Sequence, residues 1–195
     1  LPLDKGAETP DLKFEPAGNA GYTIGDDGSR ARKKGECTDA NVVVTAFDWG
    51  AYGELTAVAE LTDGRLLYGK VEDTLLEEVL RLPKRDPDSH IGDKWKKDME
   101  ATHVSDDDDS ERTKGNHHDG DGLSAYEEYR GLIAQGKHTR DHGPGRDGHK
   151  PLSPARKDLV VHNTVKGQYA AAATAGLDLF EKASAIHVVE LDDGE

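Results

Sequence analysis

An α+β fold is expected from three stretches of this 195-residue chain. Between residues 41 and 71, short β-branched or alternating runs are separated by turn chemistry, which is the pattern of strands. Between 117 and 128, carboxylates alternate with glycine and lead straight into a helical pattern. From 158 to 191, a strand, a helix and a strand follow at the spacing of a parallel βαβ unit. The expected architecture is therefore a small β-sandwich-like region, a carboxylate-rich loop with flanking helices, and a terminal βαβ segment.

Residues 1–38 mix Pro2, Pro10 and Pro16 with glycine and charge, without a clear period, and read as an extended arm with an edge strand near 21–24. The β-sandwich-like region occupies 39–85. Its strands are expected within 41–49, 54–62 and 65–71, and Asp63-Gly64 between the last two is a hairpin signal. Over 74–82, the period of Leu75, Leu76, Val79 and Leu80 favours a short helix over another strand. A helix–loop–helix is expected over 86–135. Ile91, Trp95 and Met99 recur at i, i+4 and i+8, one stripe of a helix within 89–101, with Asp88 or Ser89 as N-cap. A second helix is expected over about 124–134, with Leu123, Tyr126 and either Leu132 or Ile133 turned toward the first. Residues 136–157 are rich in Gly, Pro, His and basic side chains and read as a linker or exposed loop. The last region, 158–195, holds a strand at 158–162, an Ala-rich helix at 168–184 and a strand at 185–191. Two parallel strands alone cannot bury both faces of their sheet. The segment is therefore expected to open a larger α/β domain, the alternative being that its strands join the earlier ones.

The run His117-His118-Asp119-Gly120-Asp121-Gly122-Leu123-Ser124-Ala125-Tyr126-Glu127-Glu128 has the spacing of a twelve-position EF-hand calcium loop. Asp119 falls at position 3, Asp121 at 5, Gly122 at 6 and Glu128 at 12. The carbonyl of Leu123 would be the position-7 ligand, and Ala125 at position 9 would act through a water. Ca²⁺ is a hard cation that takes six to eight oxygens in a flexible cage. Short carboxylates give single oxygens, the glycine allows the reversal, and the longer glutamate closes the far side with two. Position 1 departs from the pattern, because His117 offers an imidazole where a hard cation wants oxygen. The incoming helix is missing too, since 110–116 contains Gly115 and no apolar stripe. The four aspartates at 106–109 read as a solvated acidic linker. The alternative is that one of them folds back to replace the missing first ligand, or that they form a second calcium site.

His117, His118, His138, His142, His149 and His162 crowd one part of the chain. His138 and His142 have the i, i+4 spacing of two zinc or nickel ligands on a helix, but Gly136, Gly143 and Pro144 surround them. Solvated loop histidines are the expectation, a transition-metal site the alternative. There is no His-Glu-x-x-His, no Gly-x-Ser-x-Gly and no phosphate loop, and Cys37 has no nucleophile context. Trp49 and Trp95 read as core anchors. No complete catalytic constellation is present in the sequence.

Composition sets the class of partner. With 39 acidic and 25 basic side chains the formal net charge is −14, which argues against nucleic acid or an anionic membrane surface. Hydrophobic residues make up 34% of the chain, so the core must be modest. No apolar run has the length of a membrane span. The chain begins at Leu1 without a signal peptide, and is expected to be a processed or excised piece of a secreted protein, extracellular or at the cell surface. A weak calcium loop suits such a calcium-rich setting. Its single cysteine allows no internal disulfide.

The stretch Asp119-Gly120-Asp121-Gly122-Leu123-Ser124-x-Tyr126-Glu127-Glu128-Tyr129-Arg130-Gly131 resembles the calcium loops of large bacterial extracellular proteins, akin to thrombospondin type 3 repeats and dockerin loops. The Tyr-Glu-Glu-Tyr-Arg-Gly ending is similar to a group of bacterial secreted proteins in which an Ig-like β region precedes an Ile-x-Asp-x-Trp helix, here Ile91, Asp93 and Trp95. In that group the loop leads to a Lys-Asp-Leu strand, here Lys157, Asp158 and Leu159. The resemblance covers about 40–190. It implies a calcium-binding structural or interaction module with the metal held by His117, Asp119, Asp121, Leu123 and Glu128, with other chains or the rest of a longer polypeptide as partners. Some members of the group look as though they continue into a metallopeptidase-like domain. The alternative is thus the non-catalytic front of a secreted zinc hydrolase, with its zinc motif beyond Glu195.

Overall fold

The computed structural model describes residues 12–47, 50–110, 120–134, 148–150 and 152–192. Short strands and helices alternate through it, which makes the protein α+β, and two compact units divide it, Pro2–Asp93 and Lys94–Glu195.

The described residues of the first unit form short strands: β1 (Leu12–Phe14), β2 (Tyr22–Ile24), β3 (Ala31–Lys33), β4 (Val44–Ala46), β5 (Gly53–Leu55), β6 (Val58–Glu60), β7 (Leu66–Tyr68) and β8 (Leu80–Leu82). They pair two by two, all antiparallel: β1 with β4, β2 with β3, β5 with β8, and β6 with β7. Asn19, 4% exposed, joins the early residues to the strand region. Its amide nitrogen donates to the carbonyls of Glu15 and Val43 at 2.8 and 2.9 Å, and its oxygen accepts from the Val43 amide at 2.7 Å. A side chain that satisfies three backbone groups in this way replaces ladder bonds that an irregular segment cannot make.

The turn between β6 and β7 follows from its residues. Gly64 sits at φ +83°, open to glycine without strain, and the Leu61 amide donates to the Arg65 carbonyl at 2.9 Å. The Asp63 carboxylate accepts from the backbone amide of Arg65 and from its guanidinium, and these bonds hold its pKa below the usual aspartate value. Ala51 and Ile91 are buried in this unit, together with Ser89 and Arg85. The Arg85 guanidinium lies over the Tyr52 ring, which in turn packs on His90 at 4.3 Å between centroids.

The helix favoured over 74–82 is not there. Leu75 has φ +56°, its amide closes a turn onto the Val71 carbonyl, and the chain then enters β8. Leu75 and Leu76 are 70% and 83% exposed. A 3.6-residue period favours a helix only where an apolar stripe has something to cover, and here pairing of Leu80–Leu82 with β5 wins instead.

The helix expected within 89–101 is shorter. It is α1 (Asp93–Asp98), because the Ser89 hydroxyl accepts from the Ile91 amide and closes a turn ahead of it. Its end is a Schellman arrangement: the Ala101 amide donates to the Lys96 carbonyl and the Glu100 amide to the Lys97 carbonyl. Glu100 occupies the left-handed position at φ +55°, where a Cβ costs energy. Glu100→Gly is therefore expected to raise stability by about 0.5–1 kcal/mol, a gain reduced by the freedom of glycine in the unfolded chain. An unchanged or lower midpoint in a denaturant titration would contradict this account.

The second unit continues with α2 (Ala125–Arg130), β9 (Leu132–Ala134), β10 (Gly148–Lys150), β11 (Asp158–Asn163), α3 (Ala170–Ser184) and β12 (His187–Asp192). β9 and β10 pair antiparallel. β11 and β12 pair in parallel, from Asp158 opposite His187 to Asn163 opposite Asp192, with α3 as the crossover. The strand–helix–strand read from the sequence is thus present. Its sheet has two strands among the described residues, and Leu159, Val160, Leu179 and Phe180 remain exposed. The buried cluster is Leu132, Leu152 and Val189, with Leu123 and Leu191 packed against it.

Candidate metal centre

The loop before α2 is shaped by three local devices. Gly122 has φ +93° with nothing near its missing side chain, so glycine is needed there for backbone conformation. Gly120 is needed for a different reason: a Cβ on it would run into the carbonyl and the carboxylate of Asp109. The third device is the start of the helix. Ser124 is the N-cap of α2, its hydroxyl accepting from the Glu127 amide at 3.3 Å while a Glu127 carboxylate oxygen accepts from the Ser124 amide at 2.8 Å. This reciprocal pair is a capping box. Gly131, at φ +63°, ends the helix after Arg130, so the helix expected to reach 134 stops short and Leu132–Ala134 becomes β9.

The remaining first-turn amides of α2 are satisfied by the acidic segment. The Asp108 carbonyl accepts from the Ala125 amide at 2.7 Å, and the Asp106 carbonyl from the Tyr126 amide at 3.0 Å. An Asp109 carboxylate oxygen accepts from the Gly122 amide at 3.0 Å. The acidic segment is therefore not a free linker, since Asp106, Asp108 and Asp109 bond to the loop and the start of α2. Their backbone supplies what a short helix otherwise leaves unmet. Lys96 balances part of their charge: its ammonium donates to the Val104 carbonyl at 2.9 Å and lies 3.7 Å from an Asp106 oxygen.

Among the expected ligands, Asp121, Leu123 and Glu128 are described, while His117 and Asp119 lie outside the described residues. Asp121 is oriented through both oxygens. One accepts from the Leu123 amide at 2.9 Å, a turn of the loop upon itself, and the other accepts from the Asp158 amide at 2.6 Å. Leu123 packs its side chain on the Leu132–Leu152–Val189 cluster and so pins the loop to the core. Glu128 is 3% exposed on the helix that follows, and neighbouring Glu127 is committed to the cap. Trp95 packs edge-on against Tyr129 at 5.5 Å, which braces the exit helix against α1. Among the described residues, no group of three or more His, Cys, Asp or Glu side chains is placed to hold a metal. What the described part offers chemically is two carboxylates either side of a glycine reversal, both hard oxygen donors.

The histidine pair His138 and His142 also lies outside the described residues, as do His118 and Trp49. Cys37 is exposed, and no helix among the described residues is long and apolar enough to cross a membrane.

Sequence reasoning placed Asp158 in the Lys-Asp-Leu strand but gave it no role at the centre. Its side chain is wholly buried at the first position of β11. One carboxylate oxygen receives the Arg156 guanidinium at 3.1 Å and the His187 ring nitrogen at 2.5 Å; the other has no hydrogen-bond partner among the described residues. Only Arg156 is a local partner; Asp121 and His187 come from 37 and 29 residues away. The capping box and Gly120 do carry local signals: a Ser-x-x-Glu spacing and a glycine between two aspartates.

No protein-family model matches the chain, and neither curated proteins nor solved structures give a match.

Proposed function

We propose that this protein is a calcium-stabilised extracellular structural or interaction module, in which the loop before α2 binds Ca²⁺ through Asp119, Asp121, the Leu123 carbonyl and Glu128. The first position, where His117 offers a poor ligand, is served by an oxygen of the folded-back 106–109 segment. The ion rigidifies the loop that precedes α2 within the second unit. The observation that carries the reading is the arrangement around Gly122: an oriented Asp121 before it, a buried Glu128 after it, and Asp109 bonded to its own amide. Carboxylates at both ends of a glycine turn are the hard oxygen donors that a divalent cation takes.

A thermal melt in excess EDTA, then in millimolar calcium, then in zinc, tests it. Calcium at concentrations well above its Kd is expected to stabilise the unit that binds it by on the order of 1–3 kcal/mol, read as a rise of several degrees in Tm. A rise with zinc alone would move attention to the histidines. No response to either ion would leave the Asp-Gly run a surface turn.

A further inference from the structure

We infer that Asp158 is a positioning residue of the calcium loop, and that through it cation binding is linked to the order of the parallel β11–β12 pair. This rests on the calcium reading above and adds a coupling that the loop pattern does not contain. Asp121 is gripped from outside the loop: its second oxygen is held by the amide of Asp158, at the first residue of β11. That same residue stands opposite His187, the first residue of β12, and takes the His187 ring nitrogen on its carboxylate. The His187 amide returns to the Lys157 carbonyl at 2.8 Å. One residue therefore joins the loop to the leading ends of both parallel strands.

Burial makes the junction firm. The Asp158 carboxylate is removed from water, and Arg156 and His187 both meet the same oxygen. The other oxygen is buried without a donor among the described residues. The residue whose amide holds Asp121 thus carries a buried carboxylate of its own, held at one oxygen by Arg156 and His187. A cation in the loop fixes Asp121 and with it the Asp158 amide, and by linkage whatever orders Asp158 favours the ion in return. Residues that orient a ligand from behind typically govern metal affinity by tenfold or more.

The test uses the full chain with calcium chloride as probe: calorimetric titration, melts with and without calcium, and amide hydrogen exchange over β11 and β12. Wild type, Asp158→Asn and His187→Gln are compared. Asp158→Asn is expected to weaken calcium binding roughly tenfold, and His187→Gln to weaken it less. In wild type, calcium should slow exchange of the β11 and β12 amides; in Asp158→Asn that slowing should shrink. If Asp158→Asn does not fold, His187→Gln carries the comparison, because it removes the brace and leaves the Asp158 side chain itself unchanged. Wild-type affinity in the folded variants, with no calcium effect on strand exchange, would overturn the coupling while leaving the calcium loop standing. So would a variant that loses stability equally in EDTA and in calcium, which would make Asp158 merely structural. No calcium binding by the wild type would instead sink the loop reading on which the inference stands.

Discussion

Glu128→Ala is expected to remove most of the stabilisation that calcium gives the intact chain, on the order of 1–3 kcal/mol at saturating ion, while Glu127→Ala leaves it in place. The two glutamates are neighbours with separate work. Glu127 closes the capping box with Ser124, and its carboxylate is spent on that backbone amide. Its loss is expected to cost about 1 kcal/mol whether or not calcium is present, the ordinary cost of a lost cap. Glu128 is buried one residue further round the helix, at the place where the pattern calls for a bidentate carboxylate. Alanine there also changes the metal-free protein, so the quantity to compare is the increment in melting temperature between EDTA and calcium. Equal loss of the increment in both variants would mean that the register of the loop is misassigned.

Gly120→Ala is expected to be the more damaging change to the loop itself. The added methyl would occupy the space of the Asp109 carbonyl and carboxylate, and the carbonyl is backbone that no rotamer change can clear. Relief requires the acidic segment to move off the loop, which also removes the Asp109 bond to the Gly122 amide. The destabilisation should be about 1–3 kcal/mol, the usual range for overpacking a tight contact. The calcium increment should fall with it, because the segment proposed to supply the first ligand is displaced. Chemical denaturation of Gly120→Ala with and without calcium reads both effects. A variant as stable as the wild type would show that Asp109 is not held against the loop.

What could be read from the sequence was whatever depends on neighbours in the chain. The parallel strands and their crossover helix were legible because an apolar run, an Ala-rich helical stretch and a second apolar run each fix their own element. The hairpin at Asp63-Gly64 was legible because its turn needs glycine at positive φ. Periodicity failed where it had nothing to pack on: the Leu75 to Leu80 pattern scanned as a helix, but a strand partner at Gly53–Leu55 took the segment. It also ran past Gly131, whose positive φ ends α2 six residues after it begins. The centre divides in the same way. Asp121 and Glu128 follow from spacing, whereas Asp158 acquires its role only from Asp121 and His187, distant in sequence and brought to it by the fold.

The pairing of strands two by two carries a consequence for how copies of this molecule behave toward each other. Among the described residues each strand of a two-stranded ladder keeps one edge with its amides and carbonyls facing outward, and in β6 and β7 those edges lie beside Val58, Leu66, Leu67 and Tyr68, each about half exposed. Such edges are templates for intermolecular pairing. At neutral pH the formal charge of −14 keeps copies apart. Acidification toward the isoelectric point near 5.0 takes that repulsion away while leaving the edges as they are. The carboxylates are thus expected to keep the protein dispersed, and light scattering should rise in mild acid.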